Sequence, residues 1–136
     1  MATIQKFEDI LAWQKARIFC NEIFEISIQT KLATDFKLRD QINGSSGSVM
    51  DNIAEGFGRG GSIEFIQFLE ISHASACESQ SQLYRIQDRK YIPQERFTEL
   101  YNMAEEIKKM LRGLIQYLNK TPMPGARYKD RVKKQH

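Results

Sequence analysis

The sequence predicts an all-α protein: one antiparallel, up-and-down four-helix bundle over residues 1–118, followed by a basic C-terminal tail over residues 119–136. Four segments carry apolar residues at steps of three and four, the period of a helix face, and none shows the sustained alternation of a strand. The linkers between them are short, which makes consecutive helices antiparallel neighbours. A chain of 136 residues is the size of one domain and needs no disulfide or metal to fold.

The first segment runs from about Phe7 to Thr30, with Asp9 as a candidate cap at its start. Its predicted inner stripe is Trp13, Ala16, Cys20, Ile23 and Ser27. A second apolar set lies partly off that stripe: Leu11, Ile18, Phe19 and Ile26. A helix that is apolar on more than one face needs more than one partner surface, so this excess predicts self-association.

The second segment spans about Asp35 to Phe57, and its middle is ambiguous. Gly44 and Gly47 each cost about 1 kcal/mol relative to alanine in a helix, which favours a loop. The apolar register nevertheless continues through the stretch, which favours one helix. The residues alone leave both interpretations open.

The third and fourth segments are clearer. The third runs from Ser62 to about Lys90, and its predicted inner face is Phe65, Leu69, Ser72, Ala76, Ser79, Leu83 and Ile86. The fourth runs from about Gln94 to Leu118, with the bundle seam Phe97, Leu100, Ala104, Ile107, Leu111, Leu114 and Leu118. Glycines between Gly56 and Gly61 end the second segment, and Pro93 separates the last two.

Bulk properties indicate a cytoplasmic protein that neither spans nor binds a membrane. No apolar run approaches the ~18 residues of a membrane span, and the N-terminus lacks a signal-peptide core. Cys20 and Cys77 lack metal spacing, so both are expected to be reduced core residues.

The charges divide between the bundle and the tail. Residues 119–136 hold six basic side chains and one acidic one, a net charge of +5, whereas the other 118 residues hold 14 basic and 16 acidic ones, a net charge of −2. Basic side chains with an aromatic ring can contact phosphates and stack on a base, although a solvated terminus has the same composition. The candidate nucleic-acid-binding residues are Arg127, Tyr128, Lys129, Arg131, Lys133, Lys134 and, on the bundle, Arg59.

Two motifs suggest chemistry, and neither is complete. The glycines of residues 56–61 match the dinucleotide-binding spacing, but a helical pattern precedes them where that motif requires a strand. Glu70 and His73 form half of a di-iron pair, and the only other histidine is His136. We therefore expect no enzyme, metal or cofactor. A polar set near the turn is interpreted as a network that orients helices, or alternatively as a functional surface: Asn52, Glu55, Arg59, Glu64 and Glu78.

An ordered series of residues resembles the bacterial four-helix-bundle proteins named for intervening sequences in 23S ribosomal RNA genes. It includes Trp13, Gln41, the run Asn52-Ile53-Ala54-Glu55-Gly56, then Arg59, Glu64-Phe65 and Glu78. The resemblance covers about Phe7 to Leu118 and implies a left-handed bundle, often a ring-like homopentamer, whose second segment is one helix. Asn43 and Gly44 replace basic residues that the family usually carries, and Met50 replaces a common proline.

Two functions follow as hypotheses. The first is a non-catalytic homo-oligomeric bundle associated with RNA or with a ribosome-related ribonucleoprotein. The alternative is an oligomeric protein-interaction scaffold with no nucleic-acid role. A metalloenzyme is a third class, which would require bound metal.

Overall fold

The computed structural model describes residues 4–121, and four long helices account for most of them. After a short 3-10 turn at Phe7–Asp9, the helices are α1 (Leu11–Gln29), α2 (Phe36–Gly58), α3 (Ser62–Asp88) and α4 (Gln94–Lys120), with a second 3-10 turn at Lys31–Thr34. The described residues contain no strand, and none of their helices is long and apolar enough to cross a bilayer. The predicted all-α, four-helix class is confirmed.

Contacts between distant residues establish the antiparallel order. Arg89 and Tyr91, just after α3, both bind the carboxylate of Asp35, just before α2. Arg96 at the start of α4 pairs with Glu22 in the second half of α1. Helix α2 therefore begins beside the end of α3, and α4 begins beside the end of α1, as short connections require. The handedness of the bundle and its ring assembly stay predictions.

Helix α2 continues without a break through Gly44 and Gly47, as the family resemblance implied. The serines beside these glycines form a polar seam with α3. Ser45 Oγ lies 2.8 Å from Ser79 Oγ, and Ser48 Oγ lies 2.9 Å from Ser75 Oγ. No buried side-chain nitrogen or oxygen of the described residues lacks a partner, so the seam carries no unpaired-group penalty.

The core confirms most of the predicted inner faces and corrects two of them. The predicted inner positions of α3 are all buried. On α4, the predicted inner residue Leu114 is only partly buried, and its neighbour Ile115 is buried instead. On α1 the buried stripe is shifted, because Trp13 and Cys20 are only half-buried. The residues of α1 that lie inside are Ala12, Ala16, Phe19, Ile23, Ile26 and Ser27. Because α1 is apolar on most sides, its period alone could not choose between these faces.

The helix ends also differ from their predicted positions. Asp9 accepts hydrogen bonds from the backbone N–H groups of Gln5 and Lys6, so it closes the 3-10 turn and does not cap α1. Helix α4 reaches Lys120, two residues beyond the predicted boundary.

Helix α3 ends at Asp88 in a Schellman arrangement, in which Tyr91 N–H donates to Ile86 C=O. The left-handed position of this arrangement is taken by Lys90, with φ 60°, where glycine is usual. The predicted boundary at about Lys90 is therefore two residues late.

Candidate interaction surfaces

The outer side of α1 carries an unusual amount of apolar surface. Four of its large side chains are exposed by about half or more: Leu11 by 64%, Ile18 by 49%, Phe24 by 53% and Ile28 by 54%. Leu11 and Ile18 are seven residues apart, two helical turns, and so lie on the same side. The sequence singled out Leu11 and Ile18 but missed Phe24 and Ile28, which are spaced one turn apart.

Three of these side chains, Leu11, Phe24 and Ile28, border two open clefts. Leu11 borders a cleft of about 450 Å³ between α1 and α4, whose other apolar walls are Ile4, Ile10, Met110, Leu114 and Tyr117. Phe24 and Ile28 border a second cleft of about 500 Å³ at the other end of α1, whose wall also includes Ser27, Ala33, Arg39, Asp40 and Asn43. Both flanks of α1 therefore present apolar surface with room for side chains from outside the chain.

The family-motif residues cluster around the α2–α3 turn and its seam. Gly56 is buried against α3, and a Cβ atom built on it would lie 2.5 Å from Phe68 Cβ. Phe65 is buried and packs edge-on against Phe57. The Arg59 guanidinium lies 5.1 Å from the ring centre of Phe68 and pairs with Glu55 at 3.2 Å. This group fixes how tightly α2 and α3 meet.

The remaining motif residues tie helices together or face solvent. Asn52 donates to Ser48 C=O and Oγ at 2.8 Å, and Gln41 accepts from Arg85 of α3 at 3.0 Å. Glu64 is partly buried near the start of α3, whereas Glu78 is exposed. Trp13 packs edge-on against Phe7 with ring centres 5.1 Å apart. Of the polar network predicted near the turn, which did not include Gln41, Asn52 and Glu55 bond to partners on the α2 side of the turn, and the role of the network in orienting helices stays a prediction.

Seven basic side chains of the bundle lie close to carboxylates. Ion pairs within 4.0 Å involve Lys15, Arg39, Arg59, Arg89, Arg96, Lys108 and Arg112. Their positive charge is therefore locally compensated. The tail candidates, from Arg127 to Lys134, lie outside the described residues, so their positions stay predictions.

The prediction that both cysteines are core residues is wrong. Cys20 is half-buried at the α1–α2 contact, and Cys77 is exposed on α3. Burial raises the pKa of the Cys20 thiol, the hydrogen bond to Ser46 opposes that rise, and the charge of Asp51 adds to it. In the sequence, Cys77 follows His73 by four residues, and this spacing places both side chains on one side of α3.

Within the described residues no group of three or more potential ligands could hold a metal ion.

The fold and these surfaces define a small antiparallel helical bundle with an apolar first helix and a tightly packed α2–α3 turn. The family model described as 23S rRNA-intervening sequence protein matches residues 8–113, and the chain therefore belongs to that family. A similar solved structure is a protein of unknown function from the S23 ribosomal protein family of Bacteroides thetaiotaomicron. It is 25% identical, with a TM-score of 0.70, over 77% of this chain and 98% of that one. No curated protein matches the chain.

Proposed function

We propose that this protein is a non-catalytic helical bundle that assembles with copies of itself through α1 and binds RNA through its C-terminal tail. The observation that carries the proposal is the exposed apolar surface of α1, with Leu11 and Ile18 on one flank and Phe24 and Ile28 on the other. An RNA partner is supported by the net charge of +5 in residues 119–136, whereas the family name refers to sequences within 23S ribosomal RNA genes and names no partner. A ribosome-related ribonucleoprotein is a partner of the same chemistry.

Burial of α1 gives the driving force for assembly. Fully burying one large aliphatic or aromatic side chain is worth about 1.5–3 kcal/mol, and these four are about half exposed. Covering them on both flanks would contribute several kcal/mol per subunit. Because the two flanks differ in residues and shape, one flank of a subunit would meet the other flank of the next. Head-to-tail contacts generate a closed ring when the rotation between neighbouring subunits closes, and the pentamer that the family resemblance implies is such a ring.

Charge favours the tail as the RNA contact. The bundle carries a net charge of −2 and seven of its cations pair with carboxylates, whereas residues 119–136 carry a net charge of +5. Assembly multiplies that charge on one particle. Counterion release from phosphates then gives affinity that falls with salt, by a log–log slope of about −0.7 per neutralised phosphate of single-stranded RNA.

The interface is tested with single polar substitutions that leave the core untouched. Ile18→Asp and Phe24→Asp place a charge on each flank of α1, where a neighbouring subunit would have to bury it. Each should lower the mass measured by sedimentation towards 15.8 kDa at micromolar concentration.

Ile71→Asp is the matched control on α3. Ile71 is 48% exposed, almost the same as Ile18 at 49%, so the substitution removes a similar apolar side chain and adds the same charge away from α1. It should leave the mass unchanged. If Ile18→Asp and Phe24→Asp also leave the mass unchanged, or if Ile71→Asp lowers it equally, the apolar surface of α1 is not the specific interface.

The RNA contact is tested by changing the tail at constant length. Replacing its five candidate cations with glutamine should weaken binding to a single-stranded 23S ribosomal RNA fragment and flatten the salt dependence measured by fluorescence anisotropy. The positions changed are Arg127, Lys129, Arg131, Lys133 and Lys134. Arg59→Gln is the comparison variant on the bundle. If the tail variant binds as tightly as the parent, the contact lies on the bundle, and Arg59, Lys37 and Arg39 are the next positions to change.

A protein-interaction scaffold is the second candidate, and the apolar clefts beside α1 favour it. It differs from the first candidate in one measurable respect. A scaffold would assemble normally but would bind no RNA even at low salt, where phosphate contacts are strongest.

A further inference from the structure

The C-terminal end of α4 lies at the Leu11 side of α1. Tyr117 lines the cleft that Leu11 borders, and α4 ends at its C-cap, Thr121, four residues further on. Four residues of helix span about 6 Å. The tail, to which the proposed function assigns RNA binding, therefore leaves the bundle beside the flank of α1 that would meet the next subunit.

An exposed aromatic ring lies beside the other flank of α1. The cleft that Phe24 and Ile28 border has Asp40 and Asn43 of α2 in its wall. Phe36 is four residues before Asp40 and seven before Asn43, which places it on the same side of α2. Its side chain is 63% exposed, so the ring is accessible from solution at the edge of this cleft.

Two cations accompany this ring. The Arg39 guanidinium lies 4.9 Å from the ring centre of Phe36. Lys31 is exposed in the 3-10 turn that joins α1 to α2, and it is not among the cations that pair with carboxylates within residues 4–121. Cations beside an accessible aromatic ring are the combination that holds single-stranded nucleic acid, because the charges contact phosphates and the ring stacks on a base.

These two places are far apart in one subunit and would be close together in the assembly. Helix α4 begins, rather than ends, beside the end of α1, where Arg96 pairs with Glu22. The tail and the start of α2 are therefore at opposite ends of one bundle. If Phe24 and Ile28 of one subunit cover the Leu11 cleft of the next, the start of α2 in the first lies beside the end of α4 in the second.

We propose that single-stranded RNA is held at each junction between two subunits, by the basic tail of one and by Lys31 and Phe36 of the other. The inference rests on the proposed function, that is, on head-to-tail assembly through α1 and on RNA contact by the tail. Lys31 binds a phosphate, the Phe36 ring stacks on a base, and the tail neutralises further phosphates. Full RNA affinity then requires the junction and not only several tails on one particle.

A heterodimer of defined orientation tests this shared site. Ile18→Asp blocks one flank of α1 and Phe24→Asp blocks the other, so each variant alone should be a monomer and an equimolar mixture should form a dimer with one junction. That junction contains the tail of the Phe24→Asp subunit, with Lys31 and Phe36 of the Ile18→Asp subunit. Sedimentation checks the mass of the dimer, and fluorescence anisotropy measures its binding of a single-stranded 23S ribosomal RNA fragment.

The same substitution is then placed in one subunit or in the other. Lys31→Gln in the Ile18→Asp subunit should weaken RNA binding about 5-fold at about 0.1 M salt, since one lost phosphate contact lowers the log–log slope by about 0.7. Phe36→Leu in that subunit should weaken binding by about 5-fold or more through the lost base stack. The matched control is either substitution in the Phe24→Asp subunit, where these side chains face no neighbour and binding should be unchanged.

Equal effects in the two placements, or no effect in either, would overturn the shared site while assembly and tail binding still stand. A mixture that stays monomeric would refute assembly through α1, and the shared site with it. A dimer that binds no RNA at low salt would refute the RNA contact of the proposed function itself. Circular dichroism of each variant checks that the helices are retained.

Discussion

Gly56 lies in the last turns of α2, where the backbone meets α3 beside Phe68 and Phe65. A Cβ atom at this position would lie 2.5 Å from Phe68 Cβ and 3.1 Å from Phe65 Cδ1. Phe68 Cβ is attached directly to the backbone, so a side-chain rotation cannot relieve the clash. Gly56→Ala therefore forces α2 and α3 apart.

The magnitude follows from comparison with Gly47, in the same helix. A Cβ atom on Gly47 meets nothing within 4 Å, so Gly47→Ala should stabilise the protein by about 1 kcal/mol through helix propensity. Gly56→Ala gains the same propensity term but incurs a steric cost of about 1–3 kcal/mol. Because the propensity term is common to both, the gap between the two variants measures the steric cost alone.

Urea unfolding followed by circular dichroism at fixed protein concentration gives both free energies of unfolding. The expected order is Gly47→Ala most stable and Gly56→Ala least stable. Equal stability of the two variants would refute the close α2–α3 approach.

Three further predictions concern the chain's other distinctive positions. Lys90→Gly should raise the free energy of unfolding by about 1 kcal/mol, since glycine adopts the left-handed conformation without strain; lower stability in urea unfolding would contradict this. The hydrogen bond from Tyr91, together with Arg89, holds the pKa of Asp35 below its ordinary value. The Asp35 carboxylate therefore stabilises the fold fully at a pH above its ordinary pKa, and this contribution is lost as the pH falls through the lower pKa of the folded state. Asp35→Asn should flatten this acid dependence in thermal unfolding, and an unchanged profile would count against it. Trp13→Ala should cost about 2 kcal/mol, less than for a core tryptophan because the ring is half-buried, and a fully exposed emission maximum in the parent would contradict that placement.

The sequence predicted the parts of the fold that periodicity governs. The inner face of α3 and the start of α4 follow directly from apolar spacing, and the motif series between Phe7 and Leu118 identified the family. Continuity of α2 through Gly44 and Gly47 needed the family resemblance, because propensity and register point in opposite directions there.

Periodicity failed where it has no unique answer. On α1 the apolar residues cover most sides, so the buried face depends on where α2 and α4 lie, and Phe24 and Ile28 were missed as surface residues. Cys77 was placed in the core because it lacks metal spacing, whereas its exposure depends on the angular position of α3 against α4. For the same reason Ile115 is buried on α4 in place of the predicted Leu114.

Whether other subunits cover α1 is decided by the mass of the unmodified chain in solution. Light scattering at micromolar concentration should give a whole-number multiple of 15.8 kDa, with five subunits as the expected number. A mass of 15.8 kDa across that concentration range would mean that the apolar surface of α1 stays in water, and it would contradict assembly through this helix.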